Sequence, residues 1–301
     1  MASTTGEENL SNFKFIISII IGFFIFMFSG EPGTTIVNLI VKYTKFDNHA
    51  FFIILHSVLK ISVFLILLKL YTSKILHVKL SYFRVGKPNV DLFIIIQALL
   101  LPVLVIAFYL FFLDGKIDFL EKDKIPLSLA FVVKTGLVAG ITEEIFFRGF
   151  LMKLLENKWN EKIAILLPSF LFALLHIFKG MGLISTILLV SAGTLVAIMF
   201  SLVTYCSNNV WNSVVFHVLW NTIILRIFTI TPEVKLRGIF NYSLDHKSVL
   251  LTGGNFGIES GIPAIIAYLL IILITIIRYK RNRKTGNSTF NKHSHVMNQK
   301  V

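Results

Sequence analysis

Cysteine occurs once in the 301 residues, as Cys206. No disulfide can therefore close within the chain, and no cysteine cluster can hold zinc. Charge is scarce as well: Asp, Glu, Lys and Arg make up 15% of the sequence, where a soluble domain carries roughly a quarter. Acids are the scarcer sign, 16 against 29 basic residues. No HExxH pair is present, which excludes an ordinary zincin. There is no internal repeat and no stretch that reads as a soluble domain.

Hydrocarbon takes the place of charge. The chain is 55% hydrophobic with a mean hydropathy of +0.78, and apolar runs near the bilayer-spanning length of about 20 residues recur along it. This composition specifies an all-α, polytopic integral membrane protein with about eight transmembrane helices. The net charge of +13 gathers in the loop Lys74 to Lys87 and in the tail from Arg278 to Lys300. Basic loops on one side of the membrane are the positive-inside pattern, so the partner is the lipid bilayer and not nucleic acid. Heavy use of Ile, Lys, Phe and Asn points to an AT-rich bacterial genome, hence a bacterial plasma membrane.

The first twelve residues are polar, and Glu7 and Glu8 stand where a signal peptide would be positive. Spans are expected at Phe13 to Ser29, Phe51 to Tyr71, Leu92 to Leu113, from about Leu127, Ile163 to Phe178, Ile184 to Tyr205, Val210 to Phe228 and Ile262 to Ile277. Gly30-Glu31-Pro32-Gly33 marks a turn after the first span, with Thr34 to Val41 as a short interfacial extension. Pro102 would kink the third span. Phe150 to Lys162 reads as an amphipathic bend into the interface. Asp114 to Pro126 and Thr229 to Ser260 read as loops, and Asn287 to Val301 as a disordered tail. Eight spans put both termini on one side, and the tail's basic residues make that side cytoplasmic. Three regions follow: 1–126 as N-terminal spans, 127–277 as a functional helical core, and 278–301 as a basic tail.

Three stretches carry polar chemistry at membrane depth, where charges persist for function or in tight pairs. In Glu143-Glu144-x-x-x-Arg148, Glu144 and Arg148 are four apart with the acid first, so they share a helix face and pair. Glu143 points about 100° away, has no local partner, and is available as a general base. His176 closes Phe172-Ala173-Leu174-Leu175-His176. His217 and Asn221, four apart, share another face. Each of the two histidines could serve as interhelical polar glue. Converging, the set could polarise a water, take its proton and stabilise an oxyanion, or hold a metal through two His and one Glu. His56 and Lys60 share a face of the second span, where packing or a substrate route is the choice. Lys134, nine residues before Glu143, falls near the outer mouth. Lys69 and Arg226 snorkel or pair near helix ends.

Glu143-Glu144-x-x-x-Arg148, Phe172-x-x-x-His176 and His217-x-x-x-Asn221, in that order, resemble the motifs of the CAAX protease and bacteriocin-processing (Abi) family of intramembrane endopeptidases. Asn208-Asn209-Val210-Trp211 and Gly253-Gly254-Asn255-Phe256-Gly257-Ile258-Glu259 are similar to flanking segments of that family, and the likeness covers roughly Leu127 to Ile277. The resemblance implies that Glu143 activates the attacking water with help from His176. It implies that His217 and Asn221 stabilise the oxyanion or hold the water, and that Glu144 and Arg148 are structural support. It leaves the cofactor as none or a zinc ion on Glu143, His176 and His217. Asn221, a poor zinc ligand and a good oxyanion donor, tips the reading to metal-free. Implied substrates are small hydrophobic or membrane-tethered peptides, such as bacteriocin or pheromone precursors, or a membrane protein. The rival readings are a non-catalytic scaffold or immunity protein that binds a sensor or transporter, and a proton-coupled transporter. On the span boundaries above, His176 falls toward the opposite end of its helix from Glu143. A helix start near Pro168 would bring it level.

Overall fold

The computed structural model describes residues 11–44, 46, 48–232, 237–246 and 248–284. The tail expected to be disordered, with His293 and His295, lies outside them, as do the first ten residues.

Helix starts follow from side-chain caps that satisfy the orphan N–H groups of the first turn. Ser11 precedes α1 (Asn12–Phe28) and accepts from the Lys14 amide at 3.3 Å. After only Ser29 and Gly30 the chain continues as α2 (Glu31–Thr44), with Pro32 in the first turn, where its missing N–H costs nothing. The Gly-Pro stretch therefore bends the helix instead of ending it. Asn48 caps α3 (His49–Lys74) and Asp91 caps α4 (Leu92–Phe112), which absorbs Pro102 in its interior.

The fourth crossing is one continuous helical path with two wider, under-wound stretches. It consists of α5 (Ile125–Val132), a π-helical segment (Val133–Val138), α6 (Ala139–Glu144), a second π segment (Ile145–Leu151) and α7 (Met152–Lys158). The expected interfacial bend at Phe150 to Lys162 is instead a sharp break at Trp159 and Asn160. Asn160 then caps α8 (Glu161–Leu174). Next come α9 (Leu183–Ser207) and α10 (Val210–Thr222), which ends in a third π segment (Ile223–Ile227). The chain finishes with α11 (Val249–Thr252) and α12 (Ile262–Lys284).

Among the described residues seven helices are long and apolar enough to cross a membrane. The fourteen-residue α8 makes the eighth, shorter element. Outward-facing apolar side chains such as Phe111, 83% exposed, and Leu183, 77% exposed, mark the lipid face. One end of the bundle is tied by polar contacts. Phe15 meets Trp159 edge-on at 5.5 Å, Arg84 pairs with Glu156 at 2.7 Å and donates to Asn208 at 3.2 Å, and Arg278 pairs with Asp91. The described chain starts and finishes at this same end.

The opposite end holds an element the sequence reading lacked. The two segments read as loops contain β1 (Gly115–Phe119), β2 (Phe228–Thr231) and β3 (Phe240–Leu244), in the order β1-β3-β2. β3 runs antiparallel to β1 and parallel to β2, with Gly115 opposite Leu244 and Phe228 opposite Phe240. Asn241 fastens the sheet by accepting from the amides of Arg237 and Gly238, both at 2.9 Å, and from the Thr229 hydroxyl at 2.6 Å. Strands of four or five residues, with β1 paired to β3 across more than a hundred positions, leave no local periodicity to read.

Candidate active site

α6 lies against α10 because two glycines allow it. A Cβ on Gly136 would come within 2.6 Å of Thr222 Oγ1, and one on Gly140 within 2.5 Å of Val218 Cγ2. Gly136-x-x-x-Gly140 is thus a small-residue seam of the kind that lets membrane helices approach closely. The π segments on either side of α6 have i→i+5 hydrogen bonding and re-aim its side chains. Thr135, inside the first of them, turns its carbonyl to accept from Asn221 Nδ2 at 2.8 Å.

This approach brings together residues 73 positions apart. Glu144 Oε1 accepts from Arg148 Nη1 at 2.9 Å and from His217 Nδ1 at 2.8 Å. Arg148 and Glu144 are both fully buried, and Arg148 Nη2 also donates to the Ala197 carbonyl at 3.3 Å. The guanidinium lies over the rings of Phe172 at 4.6 Å and Phe200 at 5.4 Å, and Phe200 stacks on the His217 imidazole at 5.1 Å. The spacing argument for a Glu144–Arg148 pair holds in the structure. Its extension to His217 has no local signature.

With Nδ1 committed to Glu144, His217 presents Nε2 to the neighbouring cavity, 3.9 Å from Glu143 Oε2. That Glu143 oxygen has no hydrogen-bond partner. His176 Nδ1 lies 2.8 Å from the Phe172 carbonyl. A carbonyl only accepts, so Nδ1 carries the proton and Nε2 of the neutral ring keeps its lone pair. Phe172 therefore explains its own spacing to His176: the carbonyl orients the imidazole, and the ring covers Arg148.

His176 shares the cavity with Glu143, and α8 starts at Glu161 and not at Pro168. Glu143 is fifteen residues before Lys158 and His176 is fifteen after Glu161, so the two arms of the α7–α8 hairpin bring them to equal depth.

Glu143, His176, His217 and Asn221 all line one cavity of about 400 Å³. Its walls also include Phe256 and Glu259, which the sequence reading gave no role. They come from the connection between α11 and α12, where Gly253, Gly254 and Gly257 have φ of 71°, 59° and 114°. A Cβ on Gly253 would fall 1.8 Å from the Gly257 carbonyl, so only glycine closes this turn. Glu259 Oε1 accepts from Trp220 Nε1 at 3.1 Å, and the Tyr268 hydroxyl donates to the Glu259 carbonyl at 3.0 Å. Burial pushes the Glu259 carboxyl above the ordinary carboxylate range, against the opposing pull of Trp220, His176 and His217. Cys206 stands apart, on a small separate cavity with Gln97 and Thr275. Arg226 donates to Thr135 Oγ1 at 3.3 Å and covers the Phe131 ring.

Among the described residues no three His, Cys, Asp or Glu side chains are arranged to hold a metal ion. Glu143, His176 and His217, the expected zinc set, line the same cavity but are not drawn together around one point, and no step below uses a metal.

Comparison with curated proteins and with solved structures returned no match. A family model described as Rce1-like, type II CAAX prenyl endopeptidase, matches residues 125–223. The matched stretch runs from α5 into the third π segment, and it contains Glu143, Glu144, Arg148, His176, His217 and Asn221. Through this segment the chain is similar to the CAAX protease family of intramembrane endopeptidases.

Proposed function

We propose that the protein hydrolyses peptide bonds in hydrophobic or membrane-tethered peptides by a metal-free, glutamate-activated water. The observation that carries this is the Glu143 carboxylate, with an unpartnered oxygen facing a cavity that also presents His176, His217 and Asn221. Glu143 takes a proton from water, and His176 Nε2 accepts a hydrogen bond from the same water and orients it. The hydroxide adds to the scissile carbonyl carbon. The oxyanion then receives hydrogen bonds from a doubly protonated His217 at Nε2 and from the second hydrogen of the Asn221 amide, the first being spent on Thr135. A doubly protonated His217 with Arg148 offsets the two carboxylates, so the buried group carries no net charge. On collapse, Glu143 returns the proton to the departing amine, and the atoms balance.

Glu144 and Arg148 support this arrangement without touching substrate. The basic end of the bundle, with Arg84, Lys87, Lys158 and Arg278, is the cytoplasmic end of a bacterial plasma membrane protein. Bacteriocin or pheromone precursors are suitable substrates because they are short, apolar and membrane-bound. Detergent-purified protein is incubated with hydrophobic leader peptides and the products are read by mass spectrometry. Glu143→Gln should lower cleavage by about 10²- to 10⁴-fold. Identical products from Glu143→Gln and the parent would rule out this site, and would leave a non-catalytic scaffold.

A further inference from the structure

The cavity has a second polar wall that the hydrolytic machinery does not use. Lys60, in the middle of α3, and Lys134, in the first π segment, both line it, and so does His56, one turn from Lys60. His56 feels the charge of both lysines, so the three groups form one cluster. Among the described residues neither lysine has an ion-pair partner. Of the acids that line the cavity, Glu259 accepts from Trp220, Glu143 Oε2 lies 3.9 Å from His217 Nε2, and neither is in ion-pair contact with a lysine. Glu31, which also acts on His56, is exposed at the start of α2 and is not in ion-pair contact with either lysine. His56 Nε2 is 3.3 Å from Thr34 Oγ1, which fixes its ring. Lys60 is half-buried and Lys134 is exposed where it meets the cavity; cations within a membrane-spanning segment are rare and mark ligand paths.

We infer that Lys60 and Lys134 form an anion subsite that holds a carboxylate of the peptide substrate while Glu143 attacks the chain further along. The inference rests on the peptidase reading of the same cavity. Lys134 and Glu143 are nine residues apart on one helical path, at most about 13 Å of rise because part of it is π-helical. An extended peptide covers that in about four residues. The carboxylate, whether the C-terminus or an acidic side chain, therefore sits about three to five residues from the scissile bond. Lysine is suited to this as a compact point charge on a flexible stem. The subsite sets both the register of cleavage and a preference for acidic peptides.

The test uses fluorescent hydrophobic peptides in three forms: free C-terminal acid, C-terminal amide, and amide with one Asp or Asn at a stepped distance from the cleaved bond. Binding is measured on detergent-solubilised Glu143→Gln protein and hydrolysis on the parent. The acid should bind about 10- to 100-fold more tightly than the amide, the range of a charge-assisted hydrogen bond. An Asp at the matching distance should rescue the amide.

The acid-to-amide ratio should fall to within about threefold in Lys60→Met/Lys134→Met. It should fall partway in Lys60→Gln and Lys134→Gln alone, so the result does not depend on the double variant folding. Lys69→Met, exposed near the other end of α3, should keep the full ratio. Equal binding of acid and amide, or a ratio that survives in the lysine variants, overturns the subsite. So does a lysine-dependent response to phosphatidylglycerol with no acid-to-amide difference, which assigns the cations to lipid phosphate. Lysine-dependent binding without hydrolysis keeps the subsite and removes the peptidase reading. Hydrolysis indifferent to the carboxylate does the reverse.

Discussion

Glu144 holds His217 by a 2.8 Å hydrogen bond while pairing with Arg148 at 2.9 Å, so one buried carboxylate joins the fourth crossing to α10. Removing it leaves a fully buried guanidinium without a counter-charge. Glu144→Ala should lose about 3–5 kcal/mol of stability, read as a fall in the thermal midpoint in detergent. Glu144→Ala with Arg148→Met should recover part of that loss, because the stranded charge goes too. Both variants should be inactive, since His217 is no longer oriented. Full recovery of activity in the double variant would remove Glu144 from any role in orienting His217.

Glu143 should behave in the opposite way. It makes no hydrogen bond to a buried cation and lies 3.9 Å from His217 Nε2, a weaker contact than those of Glu144, so Glu143→Gln should lower the thermal midpoint far less than Glu144→Ala does. Cleavage should disappear all the same. Asn221→Ala should lower kcat about 10²- to 10³-fold, as loss of an oxyanion donor does.

A metal-free reaction makes the parent indifferent to chelators. Prolonged EDTA or 1,10-phenanthroline should leave the cleavage rate unchanged, and added zinc should not raise it. Loss of activity on chelation that zinc restores would mean that Glu143 and the Nε2 atoms of His176 and His217 close around a metal.

Much of this was legible in the residues, and what was hidden was hidden for definite reasons. Hydropathy located the crossings because backbone groups in lipid must be satisfied within a helix. Glu144 and Arg148 were readable because four residues is a local spacing. The Glu144–His217 bond, the pairing of β1 with β3, and the shared cavity of Lys60 and Lys134 are all made between distant segments, so no window along the chain contains them. The depth of His176 was misjudged because the hairpin point, Trp159-Asn160, sits inside a segment that reads as one amphipathic helix. The Asn160 cap was its local signal. Gly136 and Gly140 also carried a readable small-residue seam, and that seam, more than helix propensity, sets the distance between Glu144 and His217.

The seam gives a graded prediction. At Gly140 an added methyl would lie 2.5 Å from Val218 Cγ2, on a stiff β-branched side chain, and 3.2 Å from the Val218 backbone nitrogen. Gly140→Ala should cost about 1–3 kcal/mol, the range of overpacking, and lower kcat with little change in KM. Gly140→Leu should separate the helices and abolish activity. Pairing Gly140→Ala with Val218→Ala makes room for the methyl and should restore most of the rate. Failure of that rescue would mean that Gly140 serves its own backbone and not the approach to α10.

Glu259 supplies the pH dependence. It lies in the connection ahead of the last span, and burial raises its proton affinity above the ordinary value of 4.5. The unfolded chain therefore releases this proton at a lower pH than the folded protein does. Unfolding releases a proton in that window, and stability falls as pH rises from about 4.5 to the raised value, levelling off beyond it. The loss approaches about 1.4 kcal/mol per unit of upward shift. Glu259→Gln keeps an acceptor for Trp220 but cannot ionise, so it should lack this dependence. Thermal midpoints of the two proteins should coincide near pH 4, and the Gln variant should melt higher near pH 7. Groups that titrate elsewhere are common to both and cancel in the difference. Parallel curves across this range would mean that Glu259 is hydrated through the cavity and titrates as an ordinary carboxylate.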